Sequence, residues 1–506
     1  MRLQSQLTAI EQGHHLRPFE RAQACCRLAK QLEKAGEYER ACEALNEFWP
    51  ERDGPPRLAA LDQATQAEVL LRVGALSGWL GSARQTTGSQ EKAKDYITRA
   101  IELFNELGQF ERVAEARGDL ALCYWREGSF DEARIHLADA LRSVEDEDGD
   151  LKATLLIRAG MVELRARRLN EASRFHNEAA VLVGNSADPA LKGAFHNQLA
   201  TLFENLGTSG RNDDYLDRAL IEYAAASFHF EQAGHHRYVA RVQNNLGYLF
   251  FKIGRYNEAH DHLDRAHYLF LELKDVGTLA QVDETRARVL LAEGRLHEAE
   301  RFARQSVRTL EKGGEQALLT EALTTYGIVQ ARLGNYSRAK ASLQRAIEVA
   351  ETAGDPEGAG RAQLGIIEEL GEQTSVTEMM SIYQAASDLL QRSQDPSAAK
   401  RLISCARKVI DASGVSRNEE GETQEPSWEG FSFKQEVLKC EKGLIERALR
   451  DSGGSVTRAA RLLGFKHHQS LISLINSRHK ELLKTRTAVR KRRRHIFSTP
   501  RTSGKR

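Results

Sequence analysis

Proline is scarce in this chain, nine residues in 506, and aromatic residues make up only 7%. With so few helix breakers and many Ala, Leu, Glu and Arg, the composition favours helices. No stretch approaches the roughly 18 consecutive apolar residues that a membrane-spanning helix needs. The N-terminal run MRLQSQLTAIEQGHHLRPFE lacks the apolar segment of a secretory signal. A cytoplasmic setting with no membrane partner is therefore expected. The six cysteines, Cys25, Cys26, Cys42, Cys123, Cys405 and Cys440, include no CxxC pair, and no histidine pattern completes a zinc site. Most fall where a helix would bury a small apolar residue, which fits a reducing compartment. Catalytic signatures are missing too. GxxxxGK[ST], HExxH, GxSxG and GxGxxG do not occur, so a built-in ATPase is excluded and neither enzymatic activity nor a cofactor is expected.

Acidic residues are missing from one place in particular. Positions 484–506 hold ten Lys and Arg and no Asp or Glu. Against a net charge of +1, that leaves −9 on the rest of the chain. An acidic body with a basic end points to a polyanionic partner at that end. Histidines recur in sets, at His14 and His15, His235 and His236, His260 and His262, and His467 and His468. A metal site needs several converging ligands with carboxylate or cysteine support. The first three sets are therefore expected on helix surfaces or loops between repeats, and no metal is expected. The run EDEDGD, Glu145 to Asp150, lacks calcium-loop spacing and is expected to be a solvated loop.

What the chain does have is internal repetition. NNLGYLFFKIGRYNEAHDHLDRA, from Asn244, and TTYGIVQARLGNYSRAKASLQRA, from Thr324, align without a gap two 40-residue units apart. Each has a small residue in a first helix (Gly247, Gly327) and a glycine at its end (Gly254, Gly334). An aromatic (Tyr256, Tyr336) and a small residue in a second helix (Ala259, Ala339) follow. Small residues let paired helices approach closely, and the terminal glycine takes the left-handed conformation that ends a helix. The aromatic is expected to fill the space between neighbouring pairs. The second-helix small residue recurs at Ala41, Ala93, Ala133, Ala172, Ala219, Ala259, Ala299 and Ala339, then as Met379 in a degenerate ninth unit. The loop Pro50 to Pro56 widens the first interval, and GTSGRNDD, Gly207 to Asp214, is an insertion in the fifth unit.

This pattern resembles the tetratricopeptide repeat in a form of about 40 residues. The resemblance implies an all-α superhelix of about nine helix pairs over 1–412, capped by a helix from Ser397 to Ala412. It also implies a concave face lined by first-helix side chains. In the central units these are Asn197, Arg241, Asn244, Asn245, Tyr248, Glu284 and Arg288. Asn amides both donate and accept hydrogen bonds, so paired Asn side chains in such a groove can hold the backbone of an extended peptide. A merely solvated face is the alternative for any one of these residues. Residues 413–430 hold five Glu, one Arg and Pro426 without helical period, and read as a flexible linker containing Trp428.

Beyond the linker the pattern is helical again. Val437, Leu438, Leu444, Ile445, Ala448 and Leu449 recur on one face until Gly453-Gly454 stops the helix. SVTRAARLLGFKHHQSLISLINSRHK then runs from Ser455 to Lys480. This stretch resembles the Fis-type helix-turn-helix of bacterial activators, over roughly 435–482. Ser455 is expected as an N-cap, Ala460 as the close-crossing residue and Gly464 as the turn. Leu462, Leu463, Phe465, Leu471, Leu474 and Ile475 are expected as a small core. Ser470 precedes Leu471, one residue more than the family pattern places between turn and first leucine.

The resemblance implies a recognition helix from about His467 to Ser477. His467, His468, Gln469, Ser473 and Asn476 are its candidates for reading base edges. Ser455, Thr457, Arg458, Lys466, Arg478 and Lys480 are candidates for phosphate contacts, joined by Arg490, Lys491, Arg492, Arg493 and Arg494 of the basic tail. That tail, 484–506, is too densely charged to fold alone. The domains expected are thus the superhelix 1–412, the linker 413–430, the helix-turn-helix 431–483 and the tail. Together they describe a bacterial, nucleoid-associated transcriptional regulator, with a protein or peptide in the groove and DNA on the C-terminal module. A homodimer through helix 434–450 is expected, because palindromic half-sites suit two-fold proteins. Two other readings stay open. One is an adaptor whose repeats and C-terminal bundle both bind proteins, and the other is an architectural binder driven by the tail alone.

Overall fold

The computed structural model describes residues 17–144, 149–210, 213–413, 432–465, 467–480 and 482. Lys466, the tail arginines and lysine at 490–494, Trp428, His14, His15 and most of the expected linker lie outside these residues. The chain divides into two compact units, 1–416 and 417–506. Both are all-α, with no strand among the described residues.

The first unit is a run of antiparallel helix pairs. They are α1 (Pro18–Lys34) with α2 (Tyr38–Ala44), α3 (Gln63–Arg84) with α4 (Ser89–Glu106), and α5 (Phe110–Glu127) with α6 (Phe130–Ser143). Next come α7 (Gly149–Arg165) with α8 (Leu169–Asn185), α9 (Pro189–Gly210) with α10 (Asp213–Gln232), and α11 (His236–Lys252) with α12 (Tyr256–Glu272). The last pairs are α13 (Val276–Ala292) with α14 (Leu296–Leu310), α15 (Gln316–Arg332) with α16 (Tyr336–Ala353), and α17 (Pro356–Leu370) with α18 (Val376–Leu390). A single helix, α19 (Pro396–Ser413), ends the stack.

The pairs approach closely for a steric reason. The second-helix alanines, from Ala41 through Ala339, are all fully buried, and Met379 is 3% exposed. A β-carbon on Gly247 would lie 2.8 Å from Leu263 Cγ and 3.3 Å from the Ala259 carbonyl oxygen. One on Gly327 would meet Leu343 at 2.7 Å and the Ala339 oxygen at 3.3 Å. The two repeats therefore share one contact geometry. Gly254 and Gly334 end their helices at φ of 80° and 79°, as a left-handed terminator requires.

Two expectations change. Tyr336 is 44% exposed and so does not fill the space between pairs. His235 is not a surface histidine. It is buried at the start of α11, its Nδ1 accepts the Tyr238 N–H at 3.3 Å, and burial pushes its pKa down to about 3. The described residues of the fifth-unit insertion end α9 and open α10.

The superhelix coils tightly enough for one turn to bond to the next. Arg237 is 6% exposed and donates to the Gly36 carbonyl at 3.1 Å, to Glu39 at 3.0 Å and to Asp275 at 2.8 Å. Glu315 accepts from Ser82 and, at 3.2 Å, from Gln85. Thr87 donates to the Lys312 carbonyl at 2.6 Å, and Ser129 to that of Ala353 at 3.2 Å. Gln394 N–H donates to the Arg167 carbonyl at 3.0 Å. The side-chain bonds from one turn to the next span from 154 residues, Lys34 to Asp188, to 233, Ser82 to Glu315, so one turn takes about four to six 40-residue units.

The second unit contains α20 (Phe433–Asp451), α21 (Val456–Leu462) and α22 (His468–Arg478). Ile445, Ala448, Leu449, Ala459, Ala460, Leu471, Ile475 and Leu482 form its core. Leu463, Phe465 and Leu474 pack against it, but Leu462 does not, being 63% exposed. Val437 and Leu444 also face outward, at 42% and 55% exposure. Gly464 has φ of 75°, and the Phe465 N–H returns to the Ala460 carbonyl at 2.9 Å, which makes the turn. Ser455 precedes α21 as expected, yet its side chain accepts no capping bond.

Gly247→Val should destabilise the repeat unit by about 1–3 kcal/mol, because the added branches meet Leu263 and the Ala259 carbonyl. Urea unfolding followed by circular dichroism would measure it, and an unchanged midpoint would contradict the close-approach account.

Candidate functional site

Two surfaces collect polar side chains. The first is an elongated cavity of about 620 Å³ inside the superhelix, lined almost wholly by first helices of the pairs. All seven groove candidates, Asn197, Arg241, Asn244, Asn245, Tyr248, Glu284 and Arg288, lie on its wall. Their bonding is more mutual than a simple peptide-gripping row. Asn245 donates to Asn197 Oδ1 at 3.0 Å, from α11 to α9. The buried Glu284 accepts from Arg288 and from Thr325, the latter at 2.6 Å, and Arg288 reaches the Tyr248 hydroxyl at 3.4 Å. Asn244 is buried with Oδ1 unpartnered among the described residues, as is Trp125 Nε1 on the same wall.

Cations set the field in the middle of the cavity. Burial raises the Tyr248 pKa, but Lys252 and Arg288 together outweigh it and hold the hydroxyl below its ordinary range. Burial likewise disfavours the Glu321 anion, yet Arg165, Arg288, Arg167 and Arg361 hold its carboxyl below the usual value. Arg167 is itself held below the ordinary arginine value, by burial and then by the neighbouring Arg361. Burial prevails elsewhere on the wall, holding the carboxyls of Glu284, Glu315 and Asp355 above the usual value, and Glu204 shows it most simply. It is 4% exposed and accepts from the Tyr223 hydroxyl at 2.9 Å, and burial pushes its pKa up to about 7.

The residues that sequence reasoning missed here are Trp79, Trp125, Arg126, Arg165, Arg167, Glu204 and Glu315. Helical periodicity places each on a first helix or, for Arg167 and Glu315, just after or just before one. It carries no signal for which units face one another across a superhelical turn.

The second surface is the outer face of α22. His467, at its N-cap, and His468, Gln469, Ser473 and Asn476 are all exposed, while Leu471 and Ile475 point into the core. Thr457, Arg458 and Lys480 are exposed, and Ser455 is half-buried. Among the described residues Arg458, Arg461 and Lys480 have no acidic partner within 4 Å. Arg478 differs, since its guanidinium lies 3.5 Å from Glu441 of α20. The sequence reading missed His479, which is 2% exposed with Nε2 3.1 Å from the same carboxylate. Glu441 thereby ties the end of α22 to α20.

Family profiles for the tetratricopeptide repeat match residues 239–269 and 278–352. A profile for bacterial regulatory proteins of the Fis family matches residues 439–466. The chain thus contains tetratricopeptide repeats and, in its C-terminal unit, a Fis-type helix-turn-helix module. The Fis match stops before α22. Among solved structures, a Rap protein complexed with competence and sporulation factor is similar, at 15% identity and TM-score 0.52, over 78% of this chain and 100% of that one. Yeast Tom70 is 15% identical over 83% of this chain and 89% of its own, with a TM-score of 0.39. Aspartyl phosphate phosphatase F from Bacillus subtilis is 14% identical over 75% and 97%, with a TM-score of 0.37. At such identities the Rap likeness is one of fold. No curated protein sequence gives a significant match.

Glu204 makes a pH test of the cavity wall. Its folded pKa of about 7 exceeds the ordinary 4.5, so the folded chain favours the protonated form. The stability this confers is complete below about pH 4.5 and is lost as pH rises through 7. Glu204→Gln keeps an acceptor for Tyr223 and removes the titration. Between pH 5 and 8 the variant should lose less stability than the parent, by up to about 3 kcal/mol. Parallel slopes in denaturant titrations across that range would refute it.

Proposed function

We propose that the chain is a bacterial DNA-binding transcriptional regulator in which the repeat superhelix receives a protein or peptide and the C-terminal module reads DNA. The observation that carries this is the outer face of α22. It presents His468, Gln469, Ser473 and Asn476 to solvent while Leu471 and Ile475 anchor the helix. Such a helix fits a major groove, where Gln and Asn pair bidentately with adenine and His donates to acceptor edges. Arg458, Arg461, Lys480 and the tail cations at 490–494 supply phosphate contacts that position the helix without selecting sequence.

The cavity supports the other half of the reading. It combines apolar wall with many polar side chains, and its amide and aromatic groups suit an extended peptide backbone. The Rap protein of similar fold is described as complexed with competence and sporulation factor, which accords with ligand reception by such a superhelix. Val437 and Leu444 lie seven residues apart on α20 and both face solvent. They are the surface through which we infer that two copies pair, matching two half-sites. In this scheme the protein acts in the cytoplasm at the nucleoid, catalyses no reaction, and divides its work between 1–412 and 431–483.

Fluorescence anisotropy with DNA selected from a random pool, against scrambled DNA, tests the reading. Gln469→Ala should weaken the selected site by about 5- to 150-fold while leaving scrambled DNA nearly unchanged. Deleting 484–506 should weaken both DNAs and flatten the salt dependence, with a slope change of about 0.9 for each phosphate no longer neutralised. Equal affinity for selected and scrambled DNA would remove sequence-specific reading and leave the adaptor or the architectural binder.

A further inference from the structure

One end of the cavity holds two guanidiniums with no direct carboxylate partner among the described residues. Arg126, near the end of α5, is 5% exposed. Arg241, on α11, lies on the same wall. Among the described residues neither has a carboxylate within 4 Å. Arg126 stacks over the Trp79 ring at 4.3 Å, and Arg241 lies 5.5 Å from the Tyr238 ring centre. Trp79 in turn stacks on Tyr38 at 4.9 Å. Both guanidiniums act electrostatically on the same two groups, Glu315 and Tyr38, so they share one neighbourhood.

The nearby acids are already engaged. Glu315 accepts from Ser82 and Gln85, and Asp275 from Arg237. Glu315 acts on both arginines through space but pairs with neither, and a guanidinium shielded from water gains further when an anion bonds to it directly. Trp125 Nε1, next in sequence to Arg126, adds a buried donor without a partner among the described residues.

We propose that Arg126 and Arg241 form a seat for a carboxylate of a short peptide, and that this carboxylate bridges two successive turns of the superhelix. This rests on the peptide reading of the cavity and adds the chemistry of its ligand and its mechanical effect. Arg126 belongs to the first turn, and Arg241 follows Arg237, whose bonds to Gly36 and Glu39 join the second turn to the first. A planar carboxylate suits two guanidinium forks. Charge repulsion between the two arginines opposes closure until the anion neutralises it. Binding therefore tightens the neighbouring turn junction, where Gln85 and Thr87 meet Glu315 and Lys312. The carboxylate can be the peptide's own terminus or an Asp or Glu side chain.

Three degenerate N-acetylated heptapeptide pools distinguish these cases with the full-length protein. One has a free C-terminus and no acidic side chain, one is amidated with a central Asp, and one is amidated and uncharged. Tryptophan fluorescence reads binding, and amide exchange at 85–87 and 312–316 reads turn closure. At least one carboxylate pool should bind tenfold or more tighter than the uncharged pool and slow exchange at both segments. Whichever pool does so identifies the source of the carboxylate. Arg126→Met and Arg241→Gln should each abolish that preference, so that on either variant the carboxylate pools bind no tighter than the uncharged pool. The second, at a less buried site, decides the matter if the first misfolds. Equal binding of all pools, or a preference that survives in Arg241→Gln, overturns the seat but leaves peptide reception standing. Binding of no pool overturns both.

Discussion

The superhelix depends on how near two helices of a pair can come. Fully buried alanines on every second helix from Ala41 to Ala339, and first-helix glycines such as Gly247 and Gly327, remove the side-chain bulk that would hold the helices apart. Close pairs stack with a small, repeated rotation, and that rotation accumulates along the chain. By the fifth or sixth pair the stack has come round far enough to meet itself. The bonds of Arg237, Glu315 and Ser129 are thus consequences of a packing rule written many residues away from them. The cavity follows from the same rule, since a more open coil would leave those first-helix side chains on a broad groove.

The two candidate sites are built on opposite plans. In the superhelix, functional groups are contributed by elements far apart in sequence, and many are bonded to one another across helices, as Asn245 is to Asn197. In the C-terminal module, the groups that face solvent lie on one eleven-residue helix, α22, held from behind by Leu471 and Ile475 and at its end by Glu441. The first plan yields a concave, charged interior suited to a small ligand. The second yields a convex polar edge suited to a groove in a larger partner.

This difference decides what could be read from the sequence. The repeat spacing, the terminal glycines and the second-helix alanines are local signals, and the helix pairs fall where those signals put them. The turn at Gly464 and the inward Leu471 and Ile475 were legible for the same reason. Leu462 misled because a leucine beside a core leucine carries no mark of its direction on a seven-residue helix. Tyr336 misled because a recurring aromatic need not be buried in every copy. His479 and Glu441 are 38 residues apart, and Ser82 and Glu315 are 233 apart. No periodicity within one helix encodes either meeting, so the polar bonds that close the cavity and brace α22 became visible only in three dimensions.

Bonding between turns also changes what kind of object the superhelix is. An open solenoid can take in or drop a unit with little consequence beyond its length, because each unit touches only its neighbours. Here a unit inserted or deleted between Glu39 and Arg237 would slide the partners out of phase and orphan the buried arginine. The chain has exchanged the modular freedom of a repeat array for the fixed part count of a closed mechanism, and its number of repeats is as much a determinant of its architecture as any residue in them.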